Sequence, residues 1–218
     1  MTETSEQTEK QHDLRHSFLW MAWAFVFLFP FPLQPLRAVT VDFLPNVVGW
    51  LLFARGLRLM GDASPRADGL RRILKFLIVL SLFEFVVPTV AAYETAIRIV
   101  TLATLVLEIV FVWGLFQIVA DFAAETGRPP LQRSARMRRV TYIVCIVLAL
   151  AAQAPSVLLE SNLKTAAIFY AGLSLRAVAL SMAVDLMRRM ALVFGPGGQP
   201  SPSSVKEDEA SQHPAGNE

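Results

Sequence analysis

Three ionisable residues stand inside runs that otherwise carry almost only apolar side chains: Glu84 in LIVLSLFEFVVP, Glu108 in LATLVLEIVFVW and Arg176 in AGLSLRAVALSM. A charge in a medium of low polarity either neutralises or finds a partner. In a bilayer it costs roughly 3 kcal/mol or more and turns toward the interior of a bundle. Each of the three lies near the middle of its run, so all share about one depth. One guanidinium and two carboxylates at matching height form a candidate midplane polar cluster. Two chemistries suit it. An internal ion pair would fix helix packing, with the leftover carboxylate protonated. Alternatively, the same groups would form a proton or cation relay, or a solute site. At 100° per residue, Glu108 shares a stripe with Thr101, Thr104, Phe111 and Leu115, and Arg176 shares one with Thr165, Gly172, Ala179 and Ala183. Glu84 lies with Ser81 and Pro88. Asp185, close to Arg188 and Arg189, reads as interfacial.

Conventional catalytic motifs are absent: the chain has no HExxH, G-x-S-x-G, P-loop or CxxC pattern. GPGG at 195–198 follows a helix and reads as its stop. His12, His16 and His213 lie in polar ends and none falls in an apolar run, so no metal or cofactor is expected. The only cysteine, Cys145, sits in an apolar run and reads as packing.

The elements that must position the three charges follow from hydropathy. Of 218 residues, 54% are hydrophobic and 17% charged, more apolar and less charged than an ordinary soluble domain. Apolar segments at 17–36, 43–60, 73–92, 98–120, 139–159 and 165–190 approach the roughly 20 residues that cross a bilayer core. The expectation is an all-α polytopic transmembrane helix bundle of about six helices, or five if the second is re-entrant. That second segment is short, because Arg55 and Arg58 leave only residues 43–54 uncharged. The organisation expected is a polar N-terminal segment 1–16, a transmembrane helical domain 17–194 and a disordered tail 195–218 rich in Gly, Pro and Ser. The acidic residues of 1–16 outnumber the basic ones, unlike a signal peptide, so the first apolar segment is expected to be kept. Its end, FPFPLQP, must stop a helix.

Basic residues mark the cytoplasmic side. They gather around the second connection (Arg55, Arg58, Arg66, Arg71, Arg72, Lys75) and the fourth (Arg128, Arg133, Arg136, Arg138, Arg139). The ends add Lys10, Arg15, Arg188, Arg189 and Lys206. The other connections hold only Arg37, Arg98 and Lys164. Six spans with both termini in the cytoplasm put every cluster on one side. Beyond the lipid bilayer itself, anionic lipid headgroups at Arg133, Arg136, Arg138 and Arg139 are candidate partners. A second copy or another membrane protein is a further candidate, and no nucleic-acid partner is expected.

The stretch VDFLPNVVGWLL reads as a helix entry. Asp42 suits the free N–H groups and positive end of a helix, and Pro45 falls in its first turn. Asn46, Gly49, Phe53 and Gly56 share a stripe whose glycines admit a neighbouring helix. The stretch resembles the D-x-L-P-D-x-x-G-Y-hydrophobic signature of a family of small, uncharacterised bacterial multi-pass membrane proteins. Asp42, Leu44, Pro45 and Gly49 match, whereas Asn46 replaces the second acid and Trp50 the tyrosine. The resemblance implies a bacterial cytoplasmic (inner) membrane and brings no activity. The missing acid argues against a two-carboxylate site here. Three functions fit the sequence: a structural or interaction subunit, a small-solute or proton/cation transporter using Glu84, Glu108 and Arg176, and an intramembrane lipid-acting enzyme. The last requires a nucleophile and base that the chain does not display.

Overall fold

A computed structural model describes residues 2–28, 32–33, 41–42, 46–86, 94–153 and 163–195. The protein is all-helical: α1 (Thr2–Phe27), α2 (Asn46–Met60), α3 (Arg66–Val86), α4 (Glu94–Glu125), α5 (Pro129–Gln153) and α6 (Leu163–Val193). A 3-10 turn at Gly61–Ala63 follows α2, and a two-residue antiparallel ladder pairs Pro32 with Asp42 and Leu33 with Val41. The tail expected over 195–218 lies outside the described residues from 196 onward.

Among the described residues each apolar segment contributes to one helix, the first also reaching the Pro32–Leu33 strand, and the helices are set by caps as well as by hydropathy. The polar 1–16 segment is not separate from the first apolar run, since one helix carries both. It ends at Phe27, before Pro30, as the FPFP motif requires. The α4 terminus is a Schellman motif: Gly127 has φ of 65°, its N–H donates to the Ala124 carbonyl, and the Arg128 N–H donates to the Ala123 carbonyl at 2.9 Å. Pro129 then opens α5, where a missing N–H removes no helical bond. At the end of α2, Arg71 of α3 donates through Nη2 to the carbonyls of Leu57 at 2.8 Å and Gly61 at 3.1 Å. A guanidinium thus satisfies carbonyls that the helix itself leaves free.

Sequential helices pack side by side and α6 closes back on α1. Cross-helix contacts reveal the polarity. Ser17 meets Gly56, Arg66 meets Asp121, Arg138 meets Asp185, and Phe18 stacks on Phe194 and meets Phe122 edge-on. Gly56, Asp121, Phe122, Asp185 and Phe194 lie toward the C-terminal ends of α2, α4 and α6, Arg66 and Arg138 in the N-terminal halves of α3 and α5, and Ser17 and Phe18 inside α1, so α2 to α6 run up and down and gather these basic groups at one end. The core between them is aromatic: Phe25, Trp50, Phe53, Phe111, Phe116 and Tyr142 are buried and pack largely edge to face.

The two glycines of the helix-entry stripe bring α2 close against α1. A methyl group on Gly49 would lie 3.0 Å from the Ala24 carbonyl oxygen, and one on Gly56 would lie 3.0 Å from that of Ser17. The Ser17 hydroxyl uses this proximity to donate to the Gly56 carbonyl at 2.7 Å.

Two helical segments, Leu102–Glu125 and Tyr170–Val193, are long and apolar enough to cross a membrane among the described residues. At 15 residues, α2 extends about 22 Å, less than a bilayer core.

Candidate functional site

Glu108 sits about four helical turns into α4, on a stripe whose Thr104, Phe111 and Leu115 are all buried. The stripe therefore faces inward as the periodicity predicts. At 3% exposure Glu108 is the most deeply buried charged residue described, and its carboxylate is fully engaged. Oε1 accepts from the Tyr142 hydroxyl of α5 at 3.0 Å, and Oε2 faces Nη2 of Arg176 on α6 at 3.4 Å. One carboxylate thereby joins three consecutive helices.

Each partner arrives by its own element. Arg176 lies on the α6 stripe that includes Gly172, Ala179 and Ala183, all buried, so the small residues bring α6 close enough for the guanidinium to reach across. Its side chain keeps 24% exposure, against 4% for Glu108. Tyr142 is buried between Phe25 and Phe116, whose rings fix its own ring and so aim the hydroxyl. Residue spacing along α4 places Glu108 thirteen residues before Asp121, about 20 Å from the basic end.

Of the cluster expected from Glu84, Glu108 and Arg176, the structure brings Glu108 and Arg176 together, with Tyr142 as a member the sequence reading did not include. A tyrosine shortly after a run of arginines reads as an interfacial aromatic. A signal was present all the same: a phenol inside an apolar run needs a hydrogen-bond partner when buried. Glu84 belongs to α3, but its side chain lies outside the described residues.

The helix-entry residues divide. Gly49 is buried against α1, and Asn46 is the first residue of α2. Asp42 lies on the short ladder, its backbone paired with Pro32, four positions before the helix begins. Pro45 is outside the described residues.

At the basic end the arginines are less free than their number suggests. Arg138 donates to the Met182 carbonyl at 2.8 Å and pairs with Asp185 at 2.7 Å, and Arg189 joins the same carboxylate at 2.9 Å. Asp185 thus ties α5 to α6. Arg139 donates to Gln117 at 2.5 Å and lies 3.9 Å over the Trp113 ring. Gln117 donates in turn to Asp121, which pairs with Arg66. Of the four arginines considered for lipid headgroups, Arg133 and Arg136 are exposed, whereas Arg138 and Arg139 are committed to these inter-helix contacts.

No group of three metal-ligating side chains occurs among the described residues. His12 and His16 approach to 3.1 Å between their Nε2 atoms on α1, which is a pair only. Cys145 is buried and free. No protein-family model, curated protein or solved structure matches this chain.

Proposed function

We propose that this is a bacterial inner-membrane protein that crosses the bilayer six times, keeps both termini in the cytoplasm, and acts as a structural or interaction subunit without catalysis of its own. The observation that carries the role is the saturation of Glu108. Both oxygens are occupied by side chains from the two following helices. A carboxylate held this way locks α4, α5 and α6 in register.

The membrane assignment is supported by the outward faces. Phe76 and Val79 of α3, Leu102, Val106 and Val110 of α4, and Val140, Val144 and Val147 of α5 are about half exposed or more. Their spacing of three or four residues makes continuous apolar stripes on the outside of a molecule whose inside is also apolar. In water that surface would aggregate, while in hydrocarbon it is the stable arrangement. The six-span orientation is supported by the basic groups at one end, which the positive-inside tendency assigns to the cytoplasm. The bacterial assignment rests on the Asp42–Trp50 signature.

The test is proton and potassium flux in proteoliposomes, wild type beside Glu84→Gln and Glu108→Gln. A structural role predicts flux no greater than in empty liposomes, with Glu108→Gln lowering the yield of folded protein. Flux that Glu108→Gln abolishes while folding is retained would establish a transporter instead.

A further inference from the structure

We propose that the groove between α2 and α3 at the basic end binds one acidic phospholipid, its phosphate held by Arg58 and Lys75 and the start of one acyl chain laid along Ala54, Leu74 and Ile78. This rests on the membrane reading above and adds a defined lipid site to it.

The groove has a volume of about 400 Å³ and is lined by those five residues and Arg71. It is open along one side. The volume, near the lower end of small-ligand sites, holds a headgroup and the first methylenes, leaving the remaining lipid in the bilayer. Its chemistry is divided along the helices. Arg58 and Arg71 stand nearest the α2–α3 turn, Leu74 and Lys75 share the next turn of α3, and Ala54 and Ile78 lie furthest from it as apolar wall. That is the order of charge and hydrocarbon in an anionic amphiphile.

The three cations are not equivalent. Arg71 is spent on the Leu57 and Gly61 carbonyls and on Asp68 at 2.7 Å, which makes it a rigid floor. Arg58 and Lys75 are exposed and have no ion pair among the described residues. With Asp68 as the only described acid paired to the trio, the groove keeps a net positive charge. This separates it from the other basic hairpin, where Arg138 and Arg139 are already matched by α4 and α6. Long cationic side chains flanking an apolar wall place their heads at phosphate depth and their stems against lipid.

The experiment uses the full chain in dodecyl maltoside, titrated with dioleoyl phosphatidylglycerol and, separately, dioleoyl phosphatidylcholine, with bound lipid read by native mass spectrometry. Glycerol 3-phosphate forms a third arm. Expected is retention of one phosphatidylglycerol, with weaker phosphatidylcholine binding and none of glycerol 3-phosphate. Arg58→Gln/Lys75→Gln should lower phosphatidylglycerol affinity about thirtyfold, at about fivefold per headgroup-facing cation. Arg133→Gln/Arg136→Gln, with equal charge loss on the other hairpin, should change it less than threefold. The charge-conserving Arg58→Lys/Lys75→Arg should bind like wild type, which controls for damage to folding. Equal loss in both neutralised pairs, equal affinity for the two lipids, or binding of glycerol 3-phosphate as tight as of lipid would each overturn the site. Carbonate extraction of cell membranes runs in parallel. Release of the protein there would overturn the membrane reading, whereas retention with unselective lipid binding would overturn only the groove.

Discussion

Breaking the Glu108–Arg176 contact should cost more than removing both charges. Glu108 is almost fully buried, and its Oε2 lies 3.4 Å from Arg176 Nη2. At an effective dielectric near 20, unit charges at that distance attract by about 5 kcal/mol. Removing one partner of a buried pair costs about 3–5 kcal/mol, because the other charge stays behind without compensation. Arg176 keeps a quarter of its side chain exposed, so part of its charge can rehydrate and the lower figure applies to Glu108→Gln: about 3 kcal/mol. Arg176→Met should cost nearer to 4 kcal/mol, because the stranded carboxylate has almost no exposure and keeps only Tyr142. In Glu108→Gln/Arg176→Met neither charge remains, and the glutamine oxygen still accepts from Tyr142. The double variant should lie within about 1–2 kcal/mol of wild type, since replacing a whole buried pair is often nearly neutral. The assay is reversible unfolding in mixed dodecyl maltoside and SDS micelles, followed by circular dichroism, for all four proteins. Strong non-additivity, with the double variant more stable than either single one, is the signature of a closed internal pair. If the two single losses simply add, or if Glu108→Gln is silent, the two groups do not depend on each other and the helix-locking role falls.

The glycines offer a sharper contrast. Gly56→Ala would push a methyl to within 3.0 Å of the Ser17 carbonyl, a backbone atom that cannot yield, so α1 and α2 should separate and lose the Ser17 hydrogen bond, lowering stability by about 2 kcal/mol or more. A methyl on Gly114 would come as near as 2.6 Å to Leu70, but to the end of a side chain that can change rotamer, so Gly114→Ala should cost less than Gly56→Ala in the same unfolding assay. For threading, single cysteines at Arg37 and Asp62 in a Cys145→Ser background should react with an impermeant maleimide from opposite faces of sealed vesicles. Labelling of both from one face would mean that α2 enters and leaves on the same side.

How much of this was legible beforehand depended on the range of the interaction. Hydropathy runs located the helices because burial of apolar surface is a local, additive preference, and Pro30 marked the end of the first because its backbone restriction acts within one residue; the ends at Gly127 and Pro129 lie outside the apolar runs 98–120 and 139–159 and were not read. Helical period alone turned Glu108, Arg176, Gly49 and Gly56 inward. The sequence did not disclose that residues 1–16 continue into the first apolar helix, because helix propensity carries across a change in polarity that looks like a boundary.

What only the tertiary structure decided was which groups share a partner. Tyr142 lies 34 positions from Glu108, and its role depends on how α5 rotates against α4 under the packing of Phe25 and Phe116. Arg133, Arg136, Arg138 and Arg139 read alike as one basic stretch. Two of them are exposed while two hold helices together, because adjacent helix positions differ by 100° and only the neighbours α4 and α6 determine which directions meet an acceptor. Composition and period thus determined solvent preference and facing, which are properties of a residue and its near neighbours. Pairing belongs to the folded chain, since it requires two distant segments to be brought within a few ångströms at a defined rotation.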